Sequence, residues 1–107
     1  MKRVYNYLGL AQRAGRVVSG EQALEVTLAK RRVFLMLIAS DASSNTYNKF
    51  KSLAQKHDVE YFVFGEKERL GHAIGKSPRA VVGVIDRNFA NVIGKEIVGS
   101  VQEKNKE

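Results

Sequence analysis

The stretch Val33-Phe34-Leu35-Met36-Leu37-Ile38-Ala39 is an unbroken apolar run, and the turn and cap residues Ser40-Asp41-Ala42-Ser43-Ser44-Asn45 follow it directly. An apolar run of this length, bounded by turn residues, is typical of a strand that helices cover on both faces. Two further apolar segments, at 59–64 and 80–85, have the same character. The run therefore predicts the centre of a helix-covered sheet.

Amphipathic helical patterns lie between these strands. Apolar residues recur at helical spacing over 3–14, 20–31 and 66–74, after residue 45 and from residue 87, and a short extended piece lies at 16–19. The order α-β-α-β-α-β-α-β-α predicts a three-layer α/β/α sandwich around a central mixed, mostly parallel four-stranded sheet. We expect residues 1–107 to form one domain, with a frayed C-terminal tail from about residue 102.

The chain is strongly basic, and its excess charge is unevenly distributed. The net charge is +7, from 18 Lys and Arg against 11 Asp and Glu, and there is no cysteine. Residues 1–32 hold seven basic against two acidic side chains, residues 65–87 hold five against three, and the other segments cancel. A basic surface favours nucleic acid as a partner, and the segregation strengthens this if folding brings the two blocks together.

Several other classes of function lack their sequence signals. No apolar run approaches the roughly 20 residues that cross a bilayer, so we expect a cytoplasmic protein with no membrane partner. The stretch at 71–77 lacks the spacing and the strand–loop–helix context of a phosphate-binding G-x-x-x-x-G-K-S/T loop. His57 and His72 are better explained as capping or surface residues, and Asp41 as a turn or cap residue. We predict no metal, no cofactor and no catalytic residue.

The start of the second helix, at Gly20, is the first candidate site. The amides of a first helical turn have no partner within the helix, so a phosphate or a base edge can bind there. The triplet Lys30-Arg31-Arg32 ends the same helix, and Arg13 and Arg16 flank Gly15. These cations can neutralise phosphates, although positive charge also belongs at a helix C-terminus for electrostatic reasons alone.

Three motifs occur along the chain in a characteristic order: Val18-Ser19-Gly20-Glu21-Gln22, Ala39-Ser40-Asp41-Ala42, and Leu70-Gly71-His72-Ala73-Ile74-Gly75 followed by Ser77-Pro78-Arg79-Ala80. In this order they resemble the kink-turn-binding large-subunit ribosomal proteins of archaea and eukaryotes, over roughly residues 3–95. The segments Asp41-Ala42-Ser43-Ser44-Asn45-Thr46 and Asn88-Phe89-Ala90-Asn91 are similar to a small bacterial branch, the YlxQ-like proteins. The resemblance implies an α/β/α sandwich with an RNA-binding edge.

The resemblance also implies which residues contact RNA. In that family the start of helix two reads the sheared guanine–adenine pairs of a kink-turn, and the loop after the Leu-Gly helix packs against the splayed nucleotide. Ala23 and Val26 stand where the family has base-contacting residues, so phosphate contacts and RNA shape should contribute more here. The RNA-binding candidates are Arg13, Arg16, Ser19, Gly20, Glu21, Gln22, Lys30, Arg31, Arg32, Gly75, Lys76, Ser77, Pro78 and Arg79.

We therefore predict a structured-RNA-binding protein that is associated with ribosomes or translation and is not an enzyme. Its expected partners are structured RNA, such as ribosomal RNA, and ribosomes or translation factors. A protein-interaction adaptor on the same scaffold is the alternative, and a small enzyme that uses Asp41 is the third hypothesis. The RNA hypothesis requires that folding place the Gly20 turn, the 76–79 turn and both basic blocks on one edge of the sandwich.

Overall fold

The computed structural model describes residues 2–105, with side chains described for residues 2–100. The predicted order of five helices and four strands is confirmed within these residues. The elements are α1 (Lys2–Arg13), β1 (Val17–Ser19), α2 (Glu21–Ala29), β2 (Leu35–Ile38), α3 (Ser44–Lys56), β3 (Glu60–Val63), α4 (Lys67–Ala73), β4 (Val81–Val84) and α5 (Arg87–Asn105). The frayed tail predicted from about residue 102 lies outside the residues whose side chains are described, and stays a prediction.

The apolar run around β2 is buried on both faces, as predicted. Leu35 and Leu37 point to the layer of α1, α4 and α5, where Leu8 and Ile93 are also fully buried. Met36 and Ile38 point to the opposite layer of α2 and α3. Alternate side chains of a strand face opposite sides of a sheet, so a strand between two helical layers needs apolar residues throughout. The three-layer α/β/α sandwich is therefore confirmed.

The sheet is mixed, but the expectation that it is mostly parallel is wrong. The strand order is β1-β4-β2-β3, and only β2 and β3 pair in parallel, whereas β4 pairs antiparallel with both β1 and β2. The cause is the short helix α4, which spans only about 10 Å at 1.5 Å per residue. The Arg79 amide donates to the Lys67 carbonyl at 3.0 Å. The chain thus returns to the start of α4 and enters β4 from the end at which β3 stopped.

The sheet has two chemically different ends. We call one the Gly20 end: it consists of the turns after β1, β2 and β3 and the turn before β4. The far end consists of the turns before β1, β2 and β3 and the turn after β4. None of the described helices has the combination of length and apolarity that crossing a bilayer requires.

Candidate nucleic-acid interface

The Gly20 turn and the turn between α4 and β4 lie against each other at the Gly20 end. The Gly20 amide donates to the Val81 carbonyl at 3.3 Å, and the Arg79 Nε atom donates to the Ser19 hydroxyl at 3.2 Å. Between the two turns lies an open cleft of about 440 Å³, the Gly20 cleft, lined by Ser19, Gly20, Glu21, Ser43, Thr46, Lys67, Pro78, Arg79, Ala80 and Val81. The sequence-based expectation that these two turns meet on one edge is confirmed.

Gly20 adopts a backbone conformation that exposes the first amides of α2. Its φ of 92° and ψ of 150° lie in a region that is essentially restricted to glycine. The first helical hydrogen bond runs from the Leu24 amide to the Gly20 carbonyl at 3.1 Å, and no side chain caps the helix. The amides of the first turn therefore keep their donor capacity for an external acceptor, beside the exposed side chain of Gln22.

Arg79 holds the α4–β4 turn in shape. Its Nη1 atom donates to the Ser77 hydroxyl at 2.6 Å, and it also contacts the carbonyls of Ser77 and Pro78 at 3.2 and 3.3 Å. With Nε on Ser19, this half-buried guanidinium uses its fork of donors on both turns at once. Arg79 is thus a positioning residue as well as a positive charge.

Gly71 explains why the α4–β4 turn can fold over its own helix. A Cβ atom at Gly71 would collide with the Ser77 carbonyl group and with the Cα atom of Pro78. The Lys76 amide donates to the Gly71 carbonyl at 2.8 Å, and Gly75 has a φ of 70°, which glycine adopts readily. Glycine at 71 is needed for close approach and glycine at 75 for the left-handed bend.

Five residues of the Gly20 cleft were missing from the sequence-based candidates: the apolar Ala80 and Val81, and the polar Ser43, Thr46 and Lys67. Ser43 caps α3 by accepting from the Thr46 amide at 3.1 Å, and the Thr46 hydroxyl donates to the Glu21 carboxylate at 3.2 Å. The run of cap-forming residues after β2 could have indicated Ser43. Nothing in the sequence places Lys67 in the same cleft as Glu21, because that placement depends on how the turns assemble.

Asp41 has the structural role that the sequence favoured, although its partner is distant. Its Oδ1 atom accepts from the Lys67 amide at 2.9 Å, 26 residues further along the chain. Asp41 therefore caps the N-terminus of α4, and not that of α3, the helix that follows it in sequence. His57 is the C-cap residue of α3, as expected. Among the described residues no three His, Asp or Glu side chains form a group that could hold a metal ion.

Five predicted RNA-binding residues do not lie at the Gly20 cleft: Arg13, Arg16, Lys30, Arg31 and Arg32. Arg13 lines a separate groove between α1 and α4, next to His72. Arg16 precedes β1 and the triplet Lys30-Arg31-Arg32 precedes β2, so these four lie at the far end of the sheet. The expectation that both basic blocks gather on one edge is therefore wrong, because α2 and β1 carry their cations away from Gly20. The RNA hypothesis then depends on the two turns that do meet, and not on a shared cationic edge. In and beside the turns of the Gly20 end, Lys67, Lys76 and Arg79 are balanced by Glu21, Asp41 and Glu66.

The sequence matches one protein family and two named relatives. Residues 2–94 match the model of the ribosomal protein L7Ae/L30e/S12e/Gadd45 family. A relative from Bacillus subtilis, the RNA-binding protein YlxQ, is 43% identical over 84 residues, which cover 78% of this chain and 84% of the relative. The RNA-binding protein YlxQ of Enterococcus faecium is 32% identical over 98 residues, which cover 92% of this chain and 94% of the relative.

Solved structures share the fold. A protein from Bacillus halodurans superimposes with a TM-score of 0.85 at 30% identity, covering 89% of this chain and 96% of that one. A 15.5kD RNA binding protein from Giardia lamblia superimposes with a TM-score of 0.74 at 21% identity, covering 95% of this chain and 87% of that one. The second likeness speaks for the fold alone.

Proposed function

This chain belongs to the ribosomal protein L7Ae/L30e/S12e/Gadd45 family, and we propose that it binds structured RNA in the Gly20 cleft. The observation that carries the proposal is the contact between Arg79 and Ser19, which joins the two turns into one surface. Both relatives from Bacillus subtilis and Enterococcus faecium are RNA-binding proteins by name. A role linked to ribosomes or translation, in the cytoplasm, fits the family to which the chain belongs.

Recognition in the Gly20 cleft relies on backbone donors and shape more than on charge. The open amides at the start of α2 can meet base edges or a phosphate, and the Gln22 side chain offers both a donor and an acceptor. Glu21 is already held by Thr46, at 3.2 Å. Because acids and bases balance in these turns, an RNA whose fold fits the cleft should be preferred to an arbitrary duplex.

The exposed surface beside the cleft is partly apolar. Val26, one turn along α2 from Gln22, is 55% exposed. An apolar side chain cannot pair with a guanine edge or a phosphate, so the ligand need not be a standard kink-turn. The same exposed valine supports the alternative function, a protein-interaction adaptor on this scaffold. An adaptor would retain its partner after nuclease treatment and at high salt, whereas RNA binding would be lost.

We assign no catalytic step to this protein. The carboxylate of Asp41, the one acid at a strand end that motivated an enzyme hypothesis, is used to cap α4. A turnover that disappears in Asp41→Asn would contradict this assignment.

A binding assay with a small panel of RNAs tests the proposal. Labelled kink-turn RNA, a hairpin with the turn replaced by paired bases, and a plain duplex are titrated with the full chain, and fluorescence anisotropy is measured. We expect the kink-turn to bind at least about tenfold more tightly than the duplex, and Gln22→Ala to change the ranking of the RNAs. Equal affinity for all three RNAs, unaltered by Gln22→Ala or Arg79→Ala, would exclude specific recognition by the cleft.

A further inference from the structure

The far end of the sheet brings together a second group of cations that the Gly20 cleft does not use. The Ile85 amide donates to the Arg16 carbonyl at 2.9 Å, and the Phe34 amide donates to the Val84 carbonyl at 2.9 Å. Arg16 and Phe34 therefore flank the end of β4 on either side. With neighbouring strands about 4.8 Å apart, their backbones are roughly 10 Å from each other.

Basic side chains outnumber acidic ones at this end. The acids in and beside its turns are Asp58, Glu60 and Asp86. The bases in and beside the same turns are Arg13, Arg16, Lys30, Arg31, Arg32, Lys56 and Arg87. The turns of the Gly20 end have no such excess. This cationic surface is therefore separate from the cleft that resembles the family's RNA site.

We define the distal surface as Arg16, Lys30, Arg31, Arg32, Phe34 and Arg87, all of which are exposed. Phe34 is 40% exposed although it is a large apolar side chain, and the Arg87 guanidinium lies 5.3 Å from the centroid of its ring. The surface thus combines several cations with an accessible aromatic ring. Cations that follow a backbone and an aromatic ring that stacks a base are the two elements of single-stranded nucleic-acid binding.

The positive charges of the distal surface are poorly neutralised. Within residues 2–100, the one ion pair that involves them joins Arg16 Nε and Asp86 Oδ2 at a long 3.9 Å. The other oxygen of Asp86 accepts from the Phe89 amide at 2.9 Å, so this carboxylate is committed to the start of α5. The cations of the surface are therefore available to an external anion.

Arg31 occupies a backbone position that favours glycine. Its φ is 58°, and the Arg31 and Arg32 amides donate to the carbonyls of Leu28 and Thr27 at 3.0 and 3.3 Å. This is the hydrogen-bond pattern with which helices end at a left-handed glycine. A side chain with a Cβ atom is strained there, so the arginine is unfavourable for folding. A charged residue in a strained conformation suggests a role in binding.

We propose that the distal surface binds a second RNA segment, so that the protein bridges two segments held at opposite ends of its sheet. The identity of the anion as RNA rests on the proposed function. Ten residue steps along α2 separate Gly20 from Lys30, a distance of about 15 Å. Because the Gly20 cleft and the distal surface lie at opposite ends of the sheet, we assign to the distal surface a different segment, bound by its phosphates and by one base stacked at Phe34.

A ternary binding experiment tests the bridge. The full chain is first saturated with unlabelled kink-turn RNA, and fluorescein-labelled oligouridylate is then titrated while anisotropy is measured. We expect oligouridylate to bind the preformed complex as tightly as it binds the free protein. The variant Arg31→Asn/Arg32→Gln/Arg87→Gln should bind it at least about tenfold more weakly, with a log K against log salt slope shallower by about 2, at about 0.7 per phosphate contact.

A matched variant separates the surface from overall charge. Lys2→Gln/Lys51→Gln/Lys95→Gln removes the same formal charge from helices elsewhere on the protein and should leave oligouridylate binding unchanged. Asparagine tolerates the left-handed conformation at position 31, so the distal variant should fold, which circular dichroism and thermal unfolding verify. Arg32→Glu alone, at an exposed position, is a second test that changes a single residue.

Three outcomes would overturn the proposal. They are displacement of oligouridylate by kink-turn RNA, equal weakening in the matched control, and binding of phosphatidylglycerol vesicles in place of oligouridylate. Failure of the proposed function has a different signature. In that case Arg79→Ala and Gln22→Ala leave kink-turn binding unchanged, whatever oligouridylate does.

Discussion

The Arg79 guanidinium donates a hydrogen bond to the Ser19 hydroxyl across 3.2 Å, although the two residues stand 60 positions apart in the sequence. Ser19 ends β1 immediately before Gly20, and Arg79 ends the turn that follows α4. One side chain thus fixes the relative position of the two turns that form the Gly20 cleft. The cleft depends on a tertiary contact and not on either turn alone.

Replacing Arg79 should loosen this contact. We expect Arg79→Ala to lower the free energy of unfolding by about 1 to 2 kcal/mol, because hydrogen bonds from a half-buried charged donor are lost. It should also weaken RNA binding more than a loss of one charge explains. Arg79→Lys keeps the charge but replaces two separate donor nitrogens with one, so it should rescue little. Urea unfolding and anisotropy titration measure the two effects, and full rescue by lysine would show that charge alone matters.

Substitution of Gly20 should destabilise the protein because of the backbone conformation at this position. Nothing lies within 4 Å of a Cβ atom built at this position, so any effect of Gly20→Ala comes from its φ of 92°. We expect a loss of about 1 to 3 kcal/mol in unfolding free energy and a shift of the first α2 amides that weakens RNA binding. Gly15→Ala is the control, since Gly15 has a φ of 72° with equal space but lies at the far end. It should destabilise the protein without changing kink-turn affinity.

Gly71→Ala should displace the α4–β4 turn. The new methyl group would meet the Ser77 carbonyl, a backbone group that can move only with the whole turn. We expect a destabilisation of about 1 to 3 kcal/mol, typical of overpacking. RNA affinity, measured at a temperature where the variant is fully folded, should fall as well. Unchanged affinity would mean that the shape of this turn does not contribute to the RNA site.

Arg31→Gly should make the protein more stable and a poorer binder. Glycine relieves the left-handed strain at a φ of 58°, so we expect the free energy of unfolding to rise by about 1 kcal/mol. Oligouridylate affinity should fall because a cation of the distal surface is lost. Asp58→Gly is the matched control: Asp58 follows the C-cap of α3 with a φ of 56° and carries the opposite charge. It should also stabilise the protein, but should not weaken oligouridylate binding.

Asp41→Ala should destabilise α4. The substitution removes the acceptor for the Lys67 amide, and the loss of a helix cap costs about 1 kcal/mol. Asp41→Asn keeps an oxygen acceptor and should cost less. Thermal unfolding of the two variants gives the comparison. Equal destabilisation by both would show that the negative charge, and not the hydrogen bond, stabilises the start of α4.

Much of the architecture could be predicted from short-range patterns. The uninterrupted apolar run around β2 required a cover on both faces, and Met36 and Leu37 are indeed buried in different layers. The direction of β4 could not be predicted in this way. Its apolar residues suit a parallel or an antiparallel neighbour equally well, and only the fold-back of the Arg79 backbone onto Lys67 decides between them.

By itself, the sequence determined the number, type and order of the elements and the candidate start of α2, because periodicity and turn residues act over a few positions. Which charges share a surface was decided by the tertiary structure. Lys30-Arg31-Arg32 follows Gly20 closely in sequence, yet a rigid helix carries the triplet to the other end of the sheet. Arg79 lies far from Gly20 in sequence, yet strand pairing of β1 with β4 brings it into contact with Ser19, the residue before Gly20. A helix moves residues that are close in sequence apart in space, whereas a sheet brings residues that are distant in sequence together. For this reason the cleft lies at one end of the sheet and the cationic excess at the other.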